Sequence, residues 1–181
     1  MRATPLSLSS VVMLEPEVFS DARGFFFESF NQARLAEALG FDATFVQDNH
    51  SCTSRGGLRG LHYQVRQPQG KLVRVVRGEI FDVVVDLRKS SPGFGRWLGE
   101  ILSADNRRQL WIPAGFAHGF LALSGEAEVL YKTTDYYAPQ FERCIAWNDP
   151  DIAVEWPLAT APMLSVKDQA GLSLRSAEVF A

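Results

Sequence analysis

The chain has 181 residues, 46% of them hydrophobic and 22% charged, enough to bury the core of one compact domain over residues 1–181 and too few for a second full one. Eighteen basic and twenty-one acidic residues leave a formal charge of -3, a balance that argues against nucleic acid or a membrane surface as partner. Cys52 and Cys144 lie far apart in no CxxC or Cys/His spacing, so they read as buried free thiols rather than a zinc site or a disulfide framework.

The first apolar run, Val11 to Leu14, is too brief for the core of a signal peptide, and a cytoplasmic location is the expectation. Strands are predicted at Ser10 to Leu14 and Gly24 to Phe30. One short surface helix follows: Asn31 suits the N-cap, Leu35, Ala38 and Leu39 share a face, and Gly40 stands where a C-terminal glycine belongs. Further strands are predicted at Lys71 to Arg77, Glu79 to Leu87, Trp97 to Leu102, Gln109 to Ile112, Gly119 to Leu123 and Ala127 to Thr134. Gly78, Ser90 to Gly93, Asp105-Asn106, Pro113 to Gly115 and Ser124-Gly125 supply the breaks between them. The longest uncharged run, Gln109 to Gly125, contains Pro113 and His118 and falls short of the roughly 20 residues of a membrane span. Trp147 to Asp151 and Glu155 to Pro157 read as turns and loops tucked against the rest.

Many short strands with little helix between them indicate an antiparallel sandwich or barrel, and a double-sheet jelly roll is the preferred form. Alternation would let Val73, Val75, Phe81, Val83 and Val85 share one side. Several polar residues interrupt these apolar stretches: Arg59 and His62 in GGLRGLHYQ, Lys71 at the head of KLVRVVRGEIFDVVVDL, His118 in AGFAHGFLAL, Tyr131 in EVLYKTTDYY, and Lys167 and Asp168 in LSVKDQ. Burying an unpaired charge is costly, so titratable groups on strand-like segments point to convergence on a cavity, and the chain reads as an enzyme.

Each of these residues has two readings. His62, beside Gly56, Gly57 and Gly60, is either a core histidine or a base, and as a base it needs an orienting acceptor for which Asp168 is one candidate. Lys71 either snorkels to the sheet edge or stabilises an enolate oxygen. Tyr131 is a structural strand tyrosine or a general acid. Arg23, Arg59 and Lys167 would match the oxygens of a pyrophosphate, and surface salt bridges would explain them nearly as well. Phe25 to Phe27 and Tyr136-Tyr137 are core or stack on a base, with core preferred for most. A metal is not expected: His62 is followed by Tyr63 and Gln64 rather than a second histidine, Gln69 to Lys71 offers no carboxylate, and Lys71 would repel a cation.

The strings FSDARGFFFESFN, FVQDNHSCTSRGGLRGLHYQ, QGKLVRVVRGEIFDVVVDLR, RQLWIPAGFAHGF and YKTTDYYAPQFERCIAWNDPDI resemble the dTDP-4-dehydrorhamnose 3,5-epimerases of dTDP-L-rhamnose synthesis, over residues from about Leu8 to Leu172. The resemblance implies an all-β, cupin-type double-sheet jelly roll with a few short peripheral helices, working as a homodimer without metal or cofactor. It implies inversion of C3 and C5 of dTDP-4-dehydro-6-deoxy-D-glucose, the carbons flanking the C4 ketone, for a product that enters cell-surface rhamnose. By similarity His62 is the base, Asp168 its dyad partner, Tyr131 the proton donor and Lys71 the group that steadies the C4 enolate. Arg23, Glu28, Gln47, Asn49, Arg59, His118, Glu142 and Lys167 match nucleotide-sugar contacts, and Phe26 and Tyr137 match thymine-stacking positions. Single-site epimerisation of a related dTDP-4-keto sugar, a non-catalytic nucleotide-sugar binding module and a metal-dependent cupin are the competing readings.

Overall fold

A computed structural model describes every residue except Ser9. Its strands are β1 (Arg2–Pro5), β2 (Val12–Glu15), β3 (Val18–Asp21), β4 (Gly24–Phe27), β5 (Gln47–Ser54), β6 (Leu58–Gln64), β7 (Lys71–Arg77), β8 (Glu79–Asp86), β9 (Trp97–Ser103), β10 (Gln109–Ile112), β11 (Phe116–Ala122), β12 (Glu126–Thr133) and β13 (Glu142–Cys144). Two short helices, α1 (Gln32–Leu39) and α2 (Val166–Gln169), complete the regular structure with one turn of 3-10 helix at Pro139–Phe141. One sheet has the order β1-β2-β10-β7-β12-β5, the other β13-β6-β11-β8-β9, and β3-β4 forms a separate hairpin. Neighbouring strands in both sheets are antiparallel. The result is a double-sheet jelly roll, as the spacing of short strands indicates.

The space between the sheets is filled from both sides. Met13, Val73, Val75, Leu110, Ile112 and Val129 enter it from the first sheet, and Ile80, Val84, Leu98, Leu102, Phe116 and Phe120 from the second. Here one expectation fails. Phe81, Val83 and Val85 do not share a side with Val73 and Val75; they pack on the opposite face of their sheet, against Ile152, Val154, Trp156, Leu174 and Phe180. The C-terminal segment covers that outer face, so β8 is buried on both faces and its run of valines carries no sign of which face is inner. Asp149 holds the segment's first turn, its Oδ1 accepting the N–H groups of Asp151 and Ile152 and its Oδ2 that of Leu174.

The helix forms where its caps predict. The Asn31 side chain accepts the Arg34 N–H at 3.1 Å, and Gly40, with φ 78°, closes the last turn through a bond to Ala36 O. Leu35 buries itself against Leu14, Leu72 and Trp111 on the outer face of the first sheet. Among the described residues five strands fall outside those predicted: β1, β3, β5, β6 and β13. The sequence of β5, QDNHSCTS, shows no apolar alternation because its inward side chains Gln47, Asn49 and Ser51 line a cavity rather than a core. Both cysteines are free, but Cys52 is exposed rather than buried, since it points outward from β5. Among the described residues no helix is long and apolar enough to cross a membrane.

Candidate active site

One end of the interior is a cavity of about 400 Å³ instead of packed side chains. His62 reaches it from β6, Lys71 from β7, His118 from β11, Tyr131 from β12, Glu142 from β13 and Asp168 from α2. The five strand residues among them enter from the same end of the roll, while Asp168 is brought in by α2.

The placement of His62 depends on an irregularity in β6. Its pairing with β11 runs His118↔His62 and then Phe120↔Arg59, so β6 carries one residue more than its partner, a β-bulge. Gly60, inside the bulge, has φ +122° and lies so close to β11 that a Cβ would stand 2.5 Å from the Gly119 Cα, which no other residue could accept. The bulge frees the Gly60 N–H to donate to Asp168 Oδ1 at 3.1 Å. The other Asp168 oxygen accepts the Ser165 hydroxyl at 2.5 Å, and Ser165 in turn accepts the Asp168 N–H as the N-cap of α2. Asp168 is therefore held by contacts independent of His62. His62 Nε2 lies 2.7 Å from Asp168 Oδ1, a close charge contact outside the angle of a directed hydrogen bond. Burial of Asp168 works to raise its pKa, but the contacts with His62, Ser165 and Gly60 outweigh that and bring it down to about 2. The carboxylate stays ionised beside the imidazole at any working pH.

Lys71 is 7% exposed. Burial lowers its pKa to about 8, against the opposing pull of Glu142 and Asp82, so the ammonium form still predominates at neutral pH. Burial also raises the pKa of Tyr131, with Arg59 acting in the other direction, so the phenol holds its proton. His118 stands opposite His62 in the β6–β11 register, and its Nε2 lies 2.8 Å from Asp82 Oδ2.

The rest of the lining mixes cationic, amide, phenol and carboxylate groups. The Arg59 guanidinium is braced by Thr53 Oγ1 at 2.8 Å and by Cys52 O at 3.1 Å. Glu142 accepts the Tyr137 hydroxyl at 2.7 Å and pairs with the Lys167 ammonium. Gln47 donates to Asn49 Oδ1 and accepts the Tyr137 N–H. Arg59, Lys71 and Lys167 give the cavity a positive bias suited to an anionic ligand.

Three of the expected contacts lie elsewhere. Arg23, Phe26 and Glu28 are on or just beyond the β3–β4 hairpin and do not line this cavity. The Arg23 side chain is 90% exposed and bonded to Asp21, and Phe26 is 69% exposed. Glu28 contacts Arg34 and Asn31. Conversely, the sequence reading passes over Ser165 and Asp82. An acid inside the apolar run IFDVVVD is the same signal that singles out Lys71, and it could have found Asp82.

Among the described residues the group able to offer three metal ligands is His62, Cys144 and Asp168, whose donor atoms lie within 4.8 Å of one another. Burial pushes the Cys144 thiol up to about 12, so it holds its proton, and it fits a cation poorly.

The family model described as dTDP-4-dehydrorhamnose 3,5-epimerase matches residues 5–176. The dTDP-4-dehydrorhamnose 3,5-epimerase of Pseudomonas aeruginosa is 61% identical over 180 residues, which cover 99% of each chain. The crystal structure of the dTDP-6-deoxy-D-glucose-3,5-epimerase of Legionella pneumophila, in complex with dTDP-4-keto-L-rhamnose, superposes with a TM-score of 0.95 at 50% identity, covering 98% of this chain and 94% of that one. A dTDP-4-dehydrorhamnose 3-epimerase of Streptomyces niveus is more distant, 41% identical over 178 residues that cover 98% of this chain and 86% of its own. Jelly-roll architecture, a charged cavity at one end of it and these likenesses agree: the chain belongs to the dTDP-4-dehydrorhamnose 3,5-epimerase family.

Proposed function

We propose that the cavity inverts C3 and C5 of dTDP-4-dehydro-6-deoxy-D-glucose, giving dTDP-4-dehydro-L-rhamnose, by enolate chemistry. The observation that carries this reading is the convergence of a His62–Asp168 pair, a buried Lys71 ammonium and a protonated Tyr131 on one pocket. A C–H next to a ketone becomes acidic only when the enolate oxygen is stabilised and a base is in reach. His62 removes the proton, and Asp168 stabilises the imidazolium that forms. Lys71 faces the C4 oxygen as charge develops there. Tyr131 returns a proton from the opposite side of the ring, which inverts the centre, and the tyrosinate is then reprotonated from solvent. The substrate's own ketone serves as electron sink, so the steps use no redox cofactor and no metal.

Arg59 and Lys167 supply charge for the pyrophosphate, with Gln47, Asn49, His118 and Glu142 as further contacts and Tyr137 stacking on thymine. Arg23, Phe26 and Glu28 act in a different copy. In a homodimer the β3–β4 hairpin, with Phe19, Phe25 and Phe26 between 57% and 69% exposed, extends into the partner's cavity and completes the nucleotide site. A cytoplasmic setting belongs to the same reading, with a nucleotide sugar rather than nucleic acid or membrane as the bound species.

Proton NMR of the 4-keto sugar nucleotide incubated with the enzyme in deuterium oxide tests the proposal, with a rhamnose-specific 4-keto reductase in a parallel tube. Deuterium at both C3 and C5 and formation of dTDP-L-rhamnose are the expected results. Label at one carbon would identify a single-site epimerase. Binding without label would identify a nucleotide-sugar binding module.

A further inference from the structure

Behind the cavity wall lies a second carboxylate–imidazole pair, Asp82 with His118. Asp82 is fully shielded from solvent on the inward face of β8, between Ile80 and Val84. Its Oδ2 meets His118 Nε2 at 2.8 Å, and its Oδ1 is buried with no hydrogen-bond partner. A carboxylate in such surroundings is unfavourable unless nearby positive charge offsets it, and an apolar side chain of similar volume would usually be as stable or more so. The residue is not needed to join its strand to the next: β8 and β11 pair in unbroken register from Phe116↔Asp86 to Ala122↔Ile80. The groups that feel its charge are His118 and Lys71, both at the cavity, and the Lys71 ammonium is supported by Asp82 together with Glu142.

We propose that Asp82 is a positioning residue for the reaction. An ionised Asp82 requires a proton on His118 Nε2, which fixes the ring orientation and leaves Nδ1 to the cavity. When Nδ1 carries a proton taken from solvent, the Asp82 carboxylate balances the charge of the ring, so His118 joins Lys71 as a donor toward the C4 oxygen and keeps that proton when the ketone re-forms. His62–Asp168 handles the carbon-bound proton, and His118–Asp82 handles the oxygen. This assignment rests on the enolate reading of the site.

The test is Asp82→Asn, which keeps the shape and removes the charge, measured with His118→Asn and the double variant. Expected is a fall in kcat of at least about tenfold with KM and dTDP affinity changed less than about twofold, and no further loss when Asp82→Asn is added to His118→Asn. An unchanged kcat, a loss confined to KM, or an equal loss in the His118→Asn background would each overturn the proposal. Nitrogen-15 NMR of the wild-type imidazoles needs no variant of Asp82 to fold. It should show His118 protonated at Nε2, and a bare Nε2 would overturn the assignment. Failure of the wild-type enzyme to exchange deuterium would instead count against the enolate reading, so the two failures are distinguishable.

Discussion

The two ends of the jelly-roll interior share β7, β11 and β12 and differ in polarity and packing. On β7, Lys71 faces the cavity while Val73 and Val75, two and four residues on, lie in the dry core; on β12 the corresponding residues are Tyr131 and then Val129 and Ala127. On β11, Phe116 belongs to the core and His118 to the cavity wall. Rigid packing at one end holds the backbone from which the other end presents charge. Stability and chemistry are separated along β7, β11 and β12, so neighbouring substitutions on these strands should act on different observables.

The sharpest way to break that separation is at His62, the proposed base. His62→Ala should lower deuterium exchange at both carbons by about 10³- to 10⁴-fold while dTDP affinity, read by calorimetry, stays within a few-fold. Retained turnover would remove His62 from the role. Tyr131→Phe should lower net epimerisation by about 10²-fold and leave proton abstraction, seen as exchange without inversion, largely in place. Full epimerisation in that variant would assign the acid elsewhere. At the dry end the pattern should reverse: Leu102, fully buried on β9, when replaced by alanine should cost about 2 to 5 kcal/mol of folding stability in urea titrations. Its KM should not move, and a change there would mean that the two ends are mechanically coupled.

The sequence makes one end far more legible than the other. Apolar alternation locates β7, β9, β10 and β12, and the caps Asn31 and Gly40 locate α1. Alternation fails at β5, where inward residues are polar, and at β8, where both faces are buried. The catalytic candidates stand out because charge in an apolar run is expensive, yet nothing in the spacing brings Asp168 to His62 across more than a hundred residues. That contact depends on the Gly60 bulge and the Ser165 cap, whose geometry no periodicity encodes. Arg23, Phe26 and Glu28 match a motif on the chain, and the fold sets them away from its own cavity.

A smaller effect lies at the mouth, where Arg59→Ala should weaken dTDP affinity about tenfold with little change in kcat; an unchanged affinity would contradict a phosphate contact.

The finest test uses proton linkage at Lys71. Its pKa is about 8 in the folded protein against an ordinary 10.5, with burial the cause and Glu142 and Asp82 opposing it. Between those values the unfolded chain binds the extra proton and the folded protein does not, so rising pH in that window makes the Lys71 contribution to stability more favourable. If the Lys71 ammonium steadies the enolate as proposed, activity should move the other way, and kcat should fall as pH rises through about 8. Lys71→Arg keeps the positive charge at every accessible pH. It should lower kcat by misplacing the donor and remove the alkaline limb, because arginine does not titrate there. A limb that survives in Lys71→Arg would belong to another group. Opposite responses of stability and activity to the same proton would show that the cavity keeps a charged group in place at the expense of the fold around it.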